Sequence, residues 1–153
     1  MDVKPRLIIL SDLWGAKDNE WVSLYTDLLN DFDIQYYDCR ELGNVDTFTK
    51  NQKIIHQQFL ASGIDSAVTK LQVLERGEVT VLAFSIGGII AWKAGLKDLK
   101  MNSFYAVSST RLRHEIIKPL GRLKLYFGDG DSFQPSKEWY EKLDVDFDIV
   151  KNK

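Results

Sequence analysis

The sequence predicts an α/β fold, a three-layer αβα sandwich around a mostly parallel sheet of about six strands. Short apolar segments alternate with longer helical stretches along most of the 153 residues. This alternation is typical of parallel strands joined by helical crossovers. The length suits a single domain spanning residues 1–153, and no low-complexity segment or Pro/Gly/Ser-rich linker divides it.

The strands are predicted from short apolar runs. The run Val79–Phe84 lacks a clean alternation of polar and apolar residues, which indicates a strand covered on both faces. The run Val145–Val150 does alternate, which places it at or near an edge of the sheet. The full set of predicted strands is Leu7–Leu10, Ile34–Tyr37, Val79–Phe84, Phe104–Val107, Leu123–Phe127 and Val145–Val150.

Helices are predicted between these strands, at Asn19–Leu29, in a broken stretch Lys53–Glu75, at Gly87–Leu96 and at Pro135–Lys142. Gly77 follows the second stretch, at the position expected for a C-terminal glycine cap. In such a fold, ligands bind where the loops meet at the carboxyl ends of the strands. The residues directly after each apolar run are therefore the candidates for a functional site.

The composition excludes several classes of protein. Hydrophobic residues make up 44% and charged residues 27%, with a net charge of −2, which offers no bulk attraction for nucleic acid or an anionic membrane. One cysteine and two histidines argue against an intramolecular disulfide and a structural zinc site. The first apolar run is too short for a signal-peptide core, and no run reaches the roughly 20 residues that span a bilayer. We therefore expect a cytoplasmic protein without a membrane segment.

The most informative segment is the turn at Ser85. A buried strand runs directly into this serine and a helix begins immediately behind it, with the small residues Ala83 and Gly87 two positions to either side. A strand that turns at once into a helix strains its apex residue and brings the flanking backbones together, so that only small side chains fit beside it. The apex hydroxyl is then exposed above the sheet. The alternative interpretation is a plain strand-to-helix turn with a serine cap.

The turn resembles that of the α/β-hydrolase superfamily, whose signature is Gly-x-Ser-x-Gly at this position. The segment Leu123–Pro135 is similar to the family's later strand, which is followed by Gly-x-x-Asp and a proline that opens the next helix. The resemblance implies that Ser85 is the nucleophile and Asp131 the catalytic acid. Ser85 precedes Asp131, as in the family order Ser…Asp…His.

The resemblance also covers the first strand and its loop. Leu7–Gly15 is similar to the strand and loop that carry one oxyanion donor in the family, which implies an oxyanion hole made by the backbone N–H groups of Leu13 and Ile86. Only Ser108–Arg122 separates the two strands between which a lid normally inserts. The family likeness therefore implies a minimal hydrolase-like core without a lid.

The sequence departs from the family pattern at three places. Ala83 replaces the first glycine, and Ser11-Asp12 stands where His-Gly is usual. No histidine follows the last predicted strand, although an imidazole is needed to take the proton of the serine hydroxyl. Two explanations stay open: the chain is shortened before its histidine, or it is a noncatalytic relative that keeps the fold.

The two histidines present were considered as substitutes. His114 lies between the fourth and fifth predicted strands, on the ligand side of the sheet, and is the alternative base favoured here. His56 lies among glutamines at a helix start and is the weaker candidate. For each, a solvated surface histidine is the competing interpretation.

Arginines and tryptophans near the predicted site have structural explanations as well as functional ones. Arg111 and Arg113 could hold an anionic substrate group or be scattered loop charges. The four tryptophans are expected to pack in the core or in place of a lid: Trp14, Trp21, Trp92 and Trp139. For Trp14 alone, which lies beside the predicted oxyanion loop, the alternative is that it lines an acyl pocket.

The leading hypothesis from the sequence is a serine hydrolase-like protein acting on a small-molecule carboxylic ester or thioester through Ser85. This chemistry requires no metal or organic cofactor. The contrasting hypothesis is a noncatalytic, degenerate hydrolase-fold module for binding or scaffolding. An exposed final strand would favour that role through strand pairing, including a homodimer.

Overall fold

A computed structural model of the chain describes residues 4–15 and 29–151. Its centre is a sheet of six strands in the order β2-β1-β3-β4-β5-β6, with every neighbouring pair parallel. The strands are β1 (Arg6–Leu10), β2 (Asp33–Tyr37), β3 (Glu78–Phe84), β4 (Lys100–Val107), β5 (Arg122–Gly128) and β6 (Asp146–Val150). Each predicted strand is therefore confirmed, and the sheet is entirely rather than mostly parallel.

The five described α-helices are α1 (Cys39–Leu42), α2 (Gln52–Gln58), α3 (Ile64–Leu74), α4 (Ile86–Gly95) and α5 (Lys137–Leu143). The break predicted within Lys53–Glu75 is a π-helical turn at Phe59–Gly63. A 3₁₀ turn, Thr110–His114, follows β4. The predicted helix Asn19–Leu29 lies, except for Leu29, outside the described residues, as does Trp21. None of the described helices is long and apolar enough to cross a membrane.

Both faces of the sheet are covered, as the three-layer prediction requires. Alternate residues of β3 point to opposite faces, and Val81 and Ala83 are fully buried in the larger core with α3 and α4. Leu82 packs on the other face against Leu7 and Ile9. β6 lies at the end of the strand order and is exposed at all five positions, which confirms its predicted edge placement.

The predicted cap at Gly77 is wrong. α3 ends at Leu74, and Glu75 leaves the helix in an extended conformation with φ −116° and ψ 101°. The buried Glu75 carboxylate accepts hydrogen bonds from the Arg6 guanidinium at 2.8 and 3.0 Å and from the Tyr37 hydroxyl. These contacts fix the direction of the chain before it reaches Gly77, so no left-handed glycine is needed there.

Candidate active site

Ser85 occupies the apex between β3 and α4. Its backbone has φ 51° and ψ −116°, a conformation that costs a non-glycine residue free energy and persists only where the surroundings enforce it. The Ser85 N–H donates to the Val107 carbonyl at 2.8 Å, which continues the β3–β4 ladder up to the apex. The sharp strand-to-helix turn expected from the sequence is therefore present, with Ser85 half-buried at its tip.

The small residues around the apex are required by close packing. A Cβ atom on Gly87 would lie 2.8 Å from the Cβ atom of Leu10 and from the carbonyl oxygen of Ser11. One on Gly88 would lie 1.9 Å from the hydroxyl oxygen of Ser109. Ala83 is fully buried where the family has its first glycine, so a methyl group is accommodated there.

The loop after β1 is held by its own side chains. The Ser11 hydroxyl is fully buried; it accepts from the Cys39 N–H at 2.8 Å and donates to the Asp12 carbonyl at 2.9 Å. The Asp12 carboxylate accepts from the Trp14 N–H at 2.9 Å. Burial raises the pKa of Asp12, while its bonds from the Trp14 and Gly15 N–H groups partly oppose the shift. Ser11-Asp12 thus orders this loop without the usual His-Gly.

Leu13 and Ile86, the two predicted oxyanion donors, line one pocket together with Ser85. This pocket has a volume of about 50 Å³, and its other lining residues are His56, Phe59, Thr110 and Arg111. Within the described ranges, neither the Leu13 N–H nor the Ile86 N–H has a hydrogen-bond acceptor. Two unpaired backbone donors beside a serine hydroxyl are what an acyl-transfer oxyanion hole requires.

The other predicted site residues do not line this pocket. Asp131 is half-buried in the loop after β5, where its carboxylate accepts from the Phe133 N–H at 2.9 Å. Burial raises the pKa of Tyr140, and the negative charge of Asp131 adds to this shift. His114 is exposed at the end of the 3₁₀ turn. The catalytic roles of Asp131 and His114 remain predictions.

The two arginines of the 3₁₀ turn have different surroundings. Arg113 donates to the Thr110 carbonyl at 2.8 Å and lies 5.3 Å from the ring centre of Phe133. Arg111 has no ion pair with any described residue and lines the Ser85 pocket. The sequence could not distinguish the two, because they are two positions apart on one loop.

Trp92 and Trp139 follow the packing interpretation, whereas Trp14 does not pack in the core. Trp92 is fully buried and its indole N–H donates to the Ile117 carbonyl at 3.0 Å. The Trp139 indole donates to the Glu115 carbonyl at 2.8 Å, and the two indole rings lie 5.9 Å apart. Trp14 is 44% exposed and is not among the pocket residues, so the predicted acyl-pocket role finds no support.

Two further residues lie at the site. Ser109, which is 1% exposed and not predicted as a site residue, donates from its hydroxyl to the Ser85 carbonyl at 2.9 Å. Its position two residues after the end of β4, on the ligand side of the sheet, is the sequence signal that could have identified it. His56, the weaker of the two histidine candidates in the sequence, is the histidine that lines the Ser85 pocket.

No family model matches the sequence, and no curated protein is similar to it. Solved structures with the same architecture do match, at low sequence identity. One is a protein from Xanthomonas campestris that is assigned as a hydrolase of the alpha/beta superfamily. Its TM-score is 0.64 at 11% identity, and the alignment covers 97% of this chain and 87% of the Xanthomonas protein. A predicted CIB-like hydrolase from Thermoplasma acidophilum has a TM-score of 0.64 and 16% identity, and the alignment covers 100% of this chain and 78% of the hydrolase.

A cold-adapted esterase from an Arctic intertidal metagenomic library is similar as well. Its TM-score is 0.62 at 12% identity, and the alignment covers 99% of this chain and 74% of the esterase. At such identities the likeness establishes the fold and not the chemistry. The chain has the α/β-hydrolase fold that its serine turn indicated.

Proposed function

We propose that this protein is a serine hydrolase that cleaves small carboxylic esters or thioesters, with Ser85 as the nucleophile. The observation that carries the proposal is the strained Ser85 backbone, φ 51° and ψ −116°, in a pocket shared with Leu13 and Ile86. A serine that serves only as a helix cap adopts an ordinary extended conformation and accepts from its own helix. The Ser85 side chain makes no such capping bond.

The proposed reaction begins with attack of the Ser85 hydroxyl oxygen on the substrate carbonyl carbon. The carbonyl electrons move to the oxygen, which accepts hydrogen bonds from the Leu13 and Ile86 N–H groups. A general base takes the hydroxyl proton during the attack and gives it to the leaving group as the bond to that group breaks, so that an alcohol or thiol departs. Water then hydrolyses the resulting acyl-serine. The similar solved structures include proteins assigned as hydrolases and an esterase, which supports this class of reaction.

A fluorophosphonate probe tests the proposal, because a serine hydroxyl that is activated displaces its fluoride. We expect the full chain to be labelled at one residue, Ser85, and Ser85→Ala to lose both labelling and hydrolysis of a p-nitrophenyl ester. Removal of a nucleophilic serine lowers turnover by about 10⁶. Ser108→Ala is the matched control, because Ser108 is an exposed serine near the same edge of the sheet. Labelling that survives in Ser85→Ala contradicts the proposal.

A noncatalytic binding module is the second candidate, and the exposure of β6 favours it. Phe147, Ile149 and Val150 are between 36% and 40% exposed on this edge strand, which could pair with another strand. If two copies paired through β6 about Asp148, the Asp148 side chains of the two copies would face each other. Repulsion between these like charges disfavours that register for a homodimer. Absence of probe labelling in the folded protein would favour this second function.

A further inference from the structure

His56 and Ser85 line the same small pocket. Its volume of about 50 Å³ holds only a few water molecules. His56 is the only histidine among the pocket residues, and its side chain is exposed to solvent. An imidazole in this position can exchange protons with both the pocket and bulk water.

A π turn at Phe59–Gly63 joins α2 to α3. On α2, Ile55 is fully buried and anchors the helix in the core, whereas the next residue, His56, is exposed and lines the Ser85 pocket. Phe59, the first residue of the π turn, is 1% exposed and lines the same pocket. π turns of this kind are frequent at functional sites.

The start of α2 is fixed in place by polar contacts. The Asn51 side chain accepts from the Lys53 and Ile54 N–H groups at 3.1 and 3.2 Å. The buried Arg40 guanidinium donates to the Thr49 carbonyl at 2.8 Å and to the Asp46 carbonyl, which ties down the loop before the helix. The first turns of α2, which carry His56, are thereby held beside the pocket.

We propose that His56 is the general base that activates Ser85, so that the base comes from a helix preceding the nucleophile strand. This inference rests on the proposed hydrolase function. The Ser85 hydroxyl proton passes to an imidazole nitrogen of His56 as the oxygen bonds to the substrate carbonyl carbon. His56 then gives that proton to the departing alcohol or thiol. In the second half-reaction His56 takes a proton from water, whose oxygen attacks the acyl carbon, and returns it to Ser85.

The structure assigns this role to His56 rather than to His114. His114 is exposed and does not line the Ser85 pocket. No carboxylate lines the pocket either, among the residues that the structure describes, so the proposed unit is a Ser85–His56 dyad. His56 can be replaced without a core cavity, because its side chain is exposed.

The experiment compares the rates of fluorophosphonate labelling in His56→Ala, His56→Gln and His114→Ala. We expect both His56 variants to react about 10²- to 10⁴-fold more slowly than the wild-type chain, and His114→Ala to react at the wild-type rate. Added imidazole should restore part of the rate in His56→Ala and none in Ser85→Ala. Circular dichroism checks that each variant is folded.

The outcomes separate this inference from the hydrolase proposal. If Ser85 is labelled at the wild-type rate in His56→Gln, or if only His114→Ala slows the reaction, the role of His56 is overturned while the hydrolase function stands. A loss in His56→Ala that imidazole does not restore would make the contribution structural and would also overturn it. If the folded wild-type chain is not labelled at all, both proposals fail.

Discussion

The Ser109 hydroxyl donates a hydrogen bond of 2.9 Å to the carbonyl oxygen of Ser85. This bond joins the end of β4 to the apex of the strand-to-helix turn, and the same carbonyl accepts from the Gly88 N–H at 3.0 Å. The strained backbone of Ser85 is thus held from a neighbouring strand and from its own helix. The side chain of Ser109 occupies the space that a residue larger than glycine would need at position 88.

Replacement of Gly88 by alanine should disrupt this arrangement. The new Cβ would lie 1.9 Å from the Ser109 hydroxyl oxygen, so either the hydrogen bond to Ser85 or the position of α4 must change. We expect Gly88→Ala to lower the free energy of unfolding by about 1–3 kcal/mol and to slow labelling of Ser85. Urea denaturation measures the first effect.

Gly77→Ala is the matched control for that variant. A Cβ atom at Gly77 would meet nothing within 4 Å, so the substitution should leave stability unchanged or raise it by about 0.4–1 kcal/mol. Equal urea midpoints for the two variants would show that the apex does not require glycine at position 88.

Arg111 should favour substrates that carry a negative charge near the cleaved bond, because it lines the Ser85 pocket and has no ion-pair partner among the described residues. We expect Arg111→Leu to lower kcat/KM for a carboxylate-bearing ester about tenfold or more, and to change hydrolysis of a neutral ester of equal size far less. Arg113→Leu is the control, because Arg113 is engaged with Thr110 and Phe133. An equal loss for both esters in Arg111→Leu would contradict the expectation.

Asp12 should make stability depend on pH. Burial raises its pKa above the ordinary value of 3.8, so the folded state favours the neutral carboxyl. Protonation of Asp12 therefore stabilises the folded state. This stabilisation is fully present at pH values below the ordinary pKa and is lost as the pH rises through the raised pKa of the folded state. Asp12→Asn stays neutral and keeps an oxygen for the Trp14 N–H. We therefore expect the unfolding free energy of Asp12→Asn, relative to that of the wild type, to increase as the pH rises from the ordinary pKa of Asp12 through its raised pKa.

Urea denaturation of the two proteins at several pH values, from about 3 to 7, tests this expectation. The difference in unfolding free energy should be smallest at the acidic end and level off above the raised pKa. A difference that is constant with pH would show that the Asp12 carboxyl does not titrate differently in the folded and unfolded states.

The strand assignments could be predicted because each strand is a short run rich in apolar residues, which is a local property of the sequence. The helix α1, Cys39–Leu42, was missed because it has only four residues and depends on Asp38, whose side chain accepts from the Arg40 and Glu41 N–H groups. The glycine cap was predicted wrongly because the contacts that redirect the chain at Glu75 come from Arg6 and Tyr37. Those partners are distant in the sequence and cannot be identified from local pattern.

The sequence by itself determined the fold class and the serine turn, since apolar periodicity and the small residues beside Ser85 are local properties of the chain. The tertiary structure decided which side chains meet that serine. It placed His56 and Arg111 at the pocket and left His114 and Asp131 outside its lining. The physical reason is that these contacts depend on the path of the loops and helices that carry the side chains, such as the loop before α2 that Arg40 holds. The type of a single residue does not specify that path.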